Sequence, residues 1–134
     1  MSHVNDGLLD AIAQVESGNN PEAQGDLELA NPALGAFQMR LPAYQDVQRL
    51  YPKEFGHLEF GKAMQDPALQ RQAARRYLEI LEGPYGLTDL PSLIAGYNAG
   101  PSVKKRGIRN PDYVAKVQAA LANPTLEQFH AARP

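Results

Sequence analysis

Residues 5–18, NDGLLDAIAQVESG, carry the clearest helical pattern of the chain. Their apolar side chains recur at the spacing that places them on one face of a helix: Leu8, Leu9, Ile12 and Val15. Asn5 or Asp6 can cap the start of this helix, and Gly18 can end it in the left-handed conformation. The pattern therefore predicts an amphipathic helix with Glu16 in its last turn.

Four more helices are predicted from similar signals, each with a proline in its first turn. They cover residues 42–51, 67–81, 91–97 and 111–121. The remaining stretches have no hydrophobic period and are expected to be irregular, namely 19–34, 52–65 and the basic loop 100–107. Because no alternating strand pattern of useful length is present, the fold class is expected to be all-α or mostly α, with about five main helices.

Length and composition limit the possible classes of protein. A chain of 134 residues is long enough for one compact domain and too short for two ordinary ones. We expect a single domain over residues 1–134, with its core at about 5–121 and a C-terminal extension at 122–134. No apolar run approaches the roughly 20 residues that span a bilayer. The net charge of -2 offers no broad basic surface, so we expect neither a membrane-embedded protein nor a nucleic-acid binder.

Glu16 has physical reasons to hold a proton near neutral pH. It follows Ile12 by four residues, at the edge of the apolar face, where partial burial disfavours the charged carboxylate. The negative end of the helix dipole acts in the same direction. Cleavage of a glycosidic bond needs a protonated acid, because the leaving sugar oxygen must receive a proton. Glu16 is therefore the candidate general acid.

Four short motifs follow one another along the chain. They are Glu16-Ser17-Gly18, Gly35-Ala36-Phe37-Gln38-Met39, Ala95-Gly96-Tyr97-Asn98-Ala99-Gly100 and Asp112-Tyr113-Val114. In this order they resemble the soluble lytic transglycosylases, a family of the lysozyme-like superfamily related to goose-type lysozyme. The resemblance covers residues 8–121 and implies a lysozyme-like fold around a glycan-binding groove.

The resemblance also implies an activity. It is the cleavage of the bond between N-acetylmuramic acid and N-acetylglucosamine in peptidoglycan, with formation of a 1,6-anhydro sugar. Glu16 would be the sole catalytic acid and base, and Ser17 would help to arrange the site.

Five further residues match supporting positions of the family. Gln38 and Met39 match positions that line the sugar groove. Tyr97 and Asn98 match the pair near the glutamate, and Tyr113 matches the tyrosine that closes the site from the last helix.

The chain departs from the family pattern in several places. Phe37 stands in the segment that otherwise reads Gly-Leu-Met-Gln, and Gly96 stands beside the tyrosine motif where alanine is usual. Asn110 lies in the segment that replaces the Glu-Thr before the last tyrosine, and the loop between Glu16 and Gln38 is longer than usual. These differences concern the glycan contacts and the product rather than the acid.

Two other functions stay open. A hydrolytic muramidase resembling goose-type lysozyme would need a second carboxylate to activate water, and Asp26 and Glu28 in the long loop are the candidates. A non-catalytic peptidoglycan-binding module would keep the groove without the activity. Either alternative has the same partner, the peptidoglycan glycan strand.

The remaining charged and metal-binding residue types give weaker signals. One basic cluster consists of Lys104, Lys105, Arg106 and Arg109. We expect these side chains to be solvated or to contact lactyl or stem-peptide carboxylates. The spacing of the three histidines along the chain does not match that of metal ligands. They are His3, His57 and His130. With cysteine absent as well, no metal and no other cofactor is predicted.

The start of the chain bears on where the protein acts. Residues 1–6 lack the basic start and apolar run of a signal peptide. A protein of this class acts at the cell wall, in the periplasm or outside the cell. We therefore expect either that a leader was removed or that the domain is delivered within a larger wall-penetrating assembly, such as a phage particle or a secretion system.

Overall fold

The computed structural model describes residues 1–122, which contain eight helices and one small sheet. In chain order the elements are α1 (Asp6–Ser17), β1 (Gln24–Gly25), β2 (Ala33–Leu34), α2 (Leu41–Leu50), α3 (Pro52–Phe55), α4 (Phe60–Ala63), α5 (Pro67–Glu82), α6 (Leu90–Ala99), α7 (Val103–Arg106) and α8 (Pro111–Ala122). The five longest helices coincide with the five predicted ones, so the mostly α fold is confirmed. His130 and nearly all of the predicted extension 122–134 lie outside the described residues, and the division into core and extension stays a prediction.

Helix α1 begins and ends as its sequence indicates. Asn5 caps it by accepting a hydrogen bond from the backbone N–H of Leu8 at 2.9 Å. Gly18 follows the helix with φ 66° and ψ 30°, the left-handed conformation that glycine adopts at little cost. Asp6 forms ion pairs with Arg71 of α5 rather than capping the helix. Glu16 is thereby fixed in the last turn of α1.

The core forms where α5 packs against α1, α2 and α6, and α8 packs against α1 and α6. The fully buried aliphatic side chains come mainly from three helices and include Leu8, Leu9, Ile12, Leu78, Ile80, Leu81, Leu93 and Ile94. Burial of such side chains stabilises the fold by roughly 1.5–3 kcal/mol each relative to exposure. The same packing brings the C-terminal end of α1 next to the start of α8.

The prediction of irregular structure is wrong in part for three stretches. Residues 52–65 contain α3 and α4, residues 19–34 contain the antiparallel pair β1 and β2, and residues 100–107 contain α7. None of these elements is long enough to show a hydrophobic period. Tertiary contacts hold them instead: the Tyr44 ring lies 5.9 Å from the Phe55 ring and 5.4 Å from the Phe60 ring, centroid to centroid.

Candidate active site

An open groove of about 550 Å³ lies between the end of α1, the segment from β2 to α2, and the end of α6. Five of the seven predicted site residues line it, namely Glu16, Gln38, Met39, Tyr97 and Asn98. The other two, Ser17 and Tyr113, are half-buried and bond to residues of the groove wall or to the turn beside it. The structure therefore brings the four sequence motifs together around one groove.

Glu16 and Tyr113 form a hydrogen-bonded pair across the α1–α8 contact. The Tyr113 hydroxyl donates to Glu16 Oε2 at 2.7 Å. Burial raises the pKa of Glu16 from its ordinary value of 4.5 to about 7, the hydrogen bond from Tyr113 lowers it, and the negative charge of Asp26 raises it. Burial and the charge of Glu16 also raise the pKa of Tyr113, so its hydroxyl keeps its proton. Near neutral pH the Glu16 carboxyl can therefore both give and take a proton.

Ser17 and Tyr97 hold the turn that follows β2 from two sides. Ser17 Oγ donates to the carbonyl of Ala36 at 2.7 Å and accepts from the N–H of Asn20 at 2.9 Å. The Tyr97 hydroxyl donates to the carbonyl of Phe37 at 2.8 Å. The Phe37 ring is only 4% exposed, so this departure from the family pattern fills the core rather than the groove.

Gln38 and Met39 line the groove on the side of β2. Gln38 has φ 48°, an unusual value for a residue other than glycine, and its Nε2 donates to the carbonyl of Gly35 at 2.9 Å. A Cβ on Gly25 of β1 would lie 2.3 Å from Gln38 Oε1, so a larger residue there would displace this amide from its present position. Met39 is 3% exposed and joins the core to the groove wall.

Asn98 is exposed at the end of α6, and its Oδ1 accepts from Asn110 Nδ2 at 2.8 Å. Asn110 Nδ2 also donates to the carbonyl of Ala95 at 3.2 Å. This amide joins the end of α6 to the start of α8. The sequence interpretation missed the contact, because Asn110 before Pro111 reads as an ordinary helix start.

Gln70 is the second residue that the sequence interpretation missed. It is 2% exposed and is the one buried polar or charged side chain among residues 1–122. Its Oε1 accepts from the N–H of Ala36 at 3.0 Å, and its Nε2 donates to the carbonyls of Pro21 at 2.9 Å and Met64 at 2.8 Å. Gln70 therefore joins three segments to α5: the loop before β1, the turn after β2 and the end of α4. Its position within a predicted amphipathic helix gave no local signal of this role.

The two predicted second carboxylates differ in position. Asp26 lines the groove, whereas Glu28 is exposed and does not. A third carboxylate, Asp46 of α2, lines the groove without having been predicted. It accepts from the Tyr85 hydroxyl at 3.0 Å and pairs with Arg49 at 2.7 Å. Its charge therefore already has partners within the protein.

The basic cluster lies on and after α7 and does not line the groove. Lys104 Nζ donates to the carbonyl of Gly86 at 3.1 Å, and the other three cations are exposed. Arg40, which precedes α2, is instead the cation that lines the groove. Among residues 1–122, no three side chains of the metal-binding types are grouped closely enough to hold a metal ion.

One comparison with known proteins identifies a family. The sequence profile of the family described as "Transglycosylase SLT domain" matches residues 1–119. Neither the curated proteins nor the solved structures contain a significant match. In the part of the chain that the structure describes, no helix is long and apolar enough to cross a membrane.

Proposed function

Because the chain belongs to the transglycosylase SLT family, we propose that it cleaves peptidoglycan glycan strands with Glu16 as the sole general acid and base. Membership of this family implies a lysozyme-like fold and peptidoglycan lytic transglycosylase activity in general. The observation that carries the residue assignment is the half-buried Glu16 carboxyl in the groove wall, with a pKa of about 7. An acid that titrates near the operating pH is suited to proton transfer in both directions.

The first step is breakage of the bond between the anomeric carbon of N-acetylmuramic acid and the oxygen of N-acetylglucosamine. Protonated Glu16 donates its proton to this glycosidic oxygen, and the N-acetylglucosamine unit leaves with a new hydroxyl. The acetamido group of the substrate stabilises the positive charge at the anomeric carbon, as in other glycosidases that use substrate assistance. One protein carboxylate is then sufficient.

The second step closes the anhydro ring. The Glu16 carboxylate removes the proton of the muramoyl 6-hydroxyl, and the oxygen of that hydroxyl bonds to the anomeric carbon. Glu16 is protonated again and no water is consumed. The hydrogen bond from Tyr113 stabilises the carboxylate between the two steps, at 2.7 Å from Oε2.

The other site residues have supporting parts in this proposal. Ser17 and Tyr97 hold the turn that carries Gln38, through their bonds to the backbone of residues 36 and 37. Gln38 and Asn98 offer amides to sugar hydroxyls and acetamido groups, and the buried Met39 supports the groove wall from the core. The cell wall is the place of action, whether the protein arrives by export or within a larger assembly.

Hydrolysis is the second candidate, because Asp26 lines the same groove as Glu16 and could activate a water molecule. Reaction with purified peptidoglycan in ¹⁸O-labelled water separates the two reactions. Transglycosylation yields 1,6-anhydro ends that contain no label, whereas hydrolysis yields reducing ends with one ¹⁸O atom. Binding to peptidoglycan without any soluble product would instead indicate a non-catalytic module.

A further inference from the structure

Some of the charged groups that line the groove form ion pairs within the part of the chain that the structure describes, and others do not. Three carboxyl groups and one cation line it: Glu16, Asp26, Asp46 and Arg40. Asp46 is neutralised by Arg49, and Glu16 is partly protonated near neutral pH. Arg40 makes no ion pair within residues 1–122, and neither does Asp26. The groove therefore contains a guanidinium whose charge no group of the described chain neutralises.

Arg40 is fixed at its backbone and at one end of its guanidinium. Its carbonyl accepts from the N–H of Tyr44 at 3.1 Å, in the first turn of α2. Its Nε donates to the carbonyl of Asn31 at 3.1 Å. The two Nη groups have no partner in the described part of the chain. A guanidinium held at Nε can present the paired Nη edge to a carboxylate, which accepts two parallel hydrogen bonds.

The substrate class offers a charge of the opposite sign. Peptidoglycan carries carboxylates on its stem peptides, and on the lactyl groups of muramic acid where the peptide is absent. The protein has a net charge of -2, so attraction of these groups by the protein as a whole is not expected. A single cation in the groove wall would attract these carboxylates locally.

We propose that Arg40 forms a carboxylate-binding subsite of the groove, which recognises the lactyl or stem-peptide carboxylate of a bound glycan strand. This inference rests on the proposed function, since it takes the groove to be the glycan site. It assigns to Arg40 the contact that the sequence had suggested for the basic cluster around α7. Arg40 acts here in substrate selection and takes no part in proton transfer.

The test measures equilibrium binding by calorimetry in the Glu16→Gln background, where no cleavage competes. Three glycans of equal length are compared: a neutral chito-oligosaccharide, a peptide-free N-acetylglucosamine–N-acetylmuramic acid oligomer with free lactyl carboxylates, and the same oligomer bearing stem peptides. Arg40→Gln is added to the background. Arg106→Gln is the matched control, because Arg106 is exposed and outside the groove.

We expect Arg40→Gln to raise the Kd for one or both acidic glycans about twofold to fivefold, the range of an exposed charge pair, and to leave the neutral glycan unchanged. In the Arg40→Gln variant, the Kd for the acidic glycans should also depend less on salt concentration. The acidic glycan that loses affinity identifies the source of the carboxylate. An equal effect on all three glycans, or on none, would overturn the subsite alone, whereas failure of the Glu16→Gln protein to bind any glycan would contradict the proposed function.

Discussion

Glu16 titrates under three influences that can be separated by substitution. Burial raises its pKa most, the Tyr113 hydroxyl lowers it, and the Asp26 charge raises it, with a net value of about 7. The first step of the proposed reaction needs the protonated acid. The activity kcat/KM should therefore fall as the pH rises through about 7.

Removal of the Tyr113 hydroxyl should move this alkaline limit upward. Tyr113→Phe deletes the hydrogen bond to Glu16 Oε2, which favours the carboxylate, so the pKa of Glu16 rises further. The pH dependence of kcat/KM, measured with soluble glycan oligomers, gives the limit directly. A limit that moves to lower pH would contradict the described role of this hydrogen bond.

Asp26→Asn should have the opposite effect. The substitution removes a negative charge that raises the pKa of Glu16, so the alkaline limit should move to lower pH. The proposed transglycosylase needs no second carboxylate, and we expect kcat below that limit to stay within about threefold of wild type, well short of the 100-fold and more expected on loss of an essential base. Loss of nearly all activity in the same pH-rate measurement would favour hydrolysis with Asp26 as the base.

The main elements could be predicted from sequence where a pattern was long enough to be read. The five long helices each bury a face, and their caps and prolines mark their ends. The short elements α3, α4, β1 and β2 carry no such pattern. They depend on contacts such as that between Tyr44 and Phe55, which bring together residues from different elements.

Local sequence was also insufficient to predict every residue of the site. Glu16 could be placed at a helix end from local spacing, and the other predicted residues came from the resemblance to a family. Gln70, Arg40 and Asp46 could not be found in this way. Their parts in the site depend on which loops and helices pack beside them, and local sequence does not determine that.

Gln70 offers a test of how α5 holds the loops behind the groove. Gln70→Ala leaves three backbone groups, at Pro21, Ala36 and Met64, without their buried partner. We expect the free energy of unfolding to fall by roughly 2–4 kcal/mol. Urea denaturation measures this loss.

The matched control for this test is Gln65→Ala. Gln65 is exposed, and its side chain makes no hydrogen bond within residues 1–122. Its substitution should change stability by less than about 0.5 kcal/mol. Equal losses for the two variants would contradict the proposed importance of the buried amide.

At the scale of the whole molecule, the acid is maintained at a cost in stability. The folded-state pKa of Glu16 is raised from 4.5 to about 7, so the folded protein binds this proton more tightly than the unfolded chain does. This loss of stability is nearly absent below pH 4.5, grows as the pH rises from 4.5 to about 7, and is constant above about 7. Its full size is at most roughly 3 kcal/mol.

Glu16→Gln should remove this cost while keeping an oxygen that can accept from Tyr113. The variant should therefore be more stable than wild type at pH 8, by up to roughly 3 kcal/mol, and nearly equal to it at about pH 4. Urea unfolding at the two pH values measures the difference. A stability difference that does not depend on pH would show that Glu16 does not carry the raised pKa.

The acid and its partner also show why the site is a property of the whole fold. Glu16 and Tyr113 stand 97 positions apart and meet only because α8 packs against α1. Asn98 and Asn110 similarly link α6 to α8. Nearly the whole described chain is therefore needed to form one groove, in agreement with a family match over residues 1–119.

The most direct test of the central claim is mass spectrometry of the soluble products released from purified peptidoglycan by wild type, Glu16→Gln and Glu59→Gln. Glu59 is an exposed glutamate away from the groove and serves as the matched control. We expect 1,6-anhydromuropeptides from wild type and Glu59→Gln, and a yield at least about 100-fold lower from Glu16→Gln. Undiminished anhydromuropeptide release by Glu16→Gln would contradict the assignment of Glu16 as the acid and base.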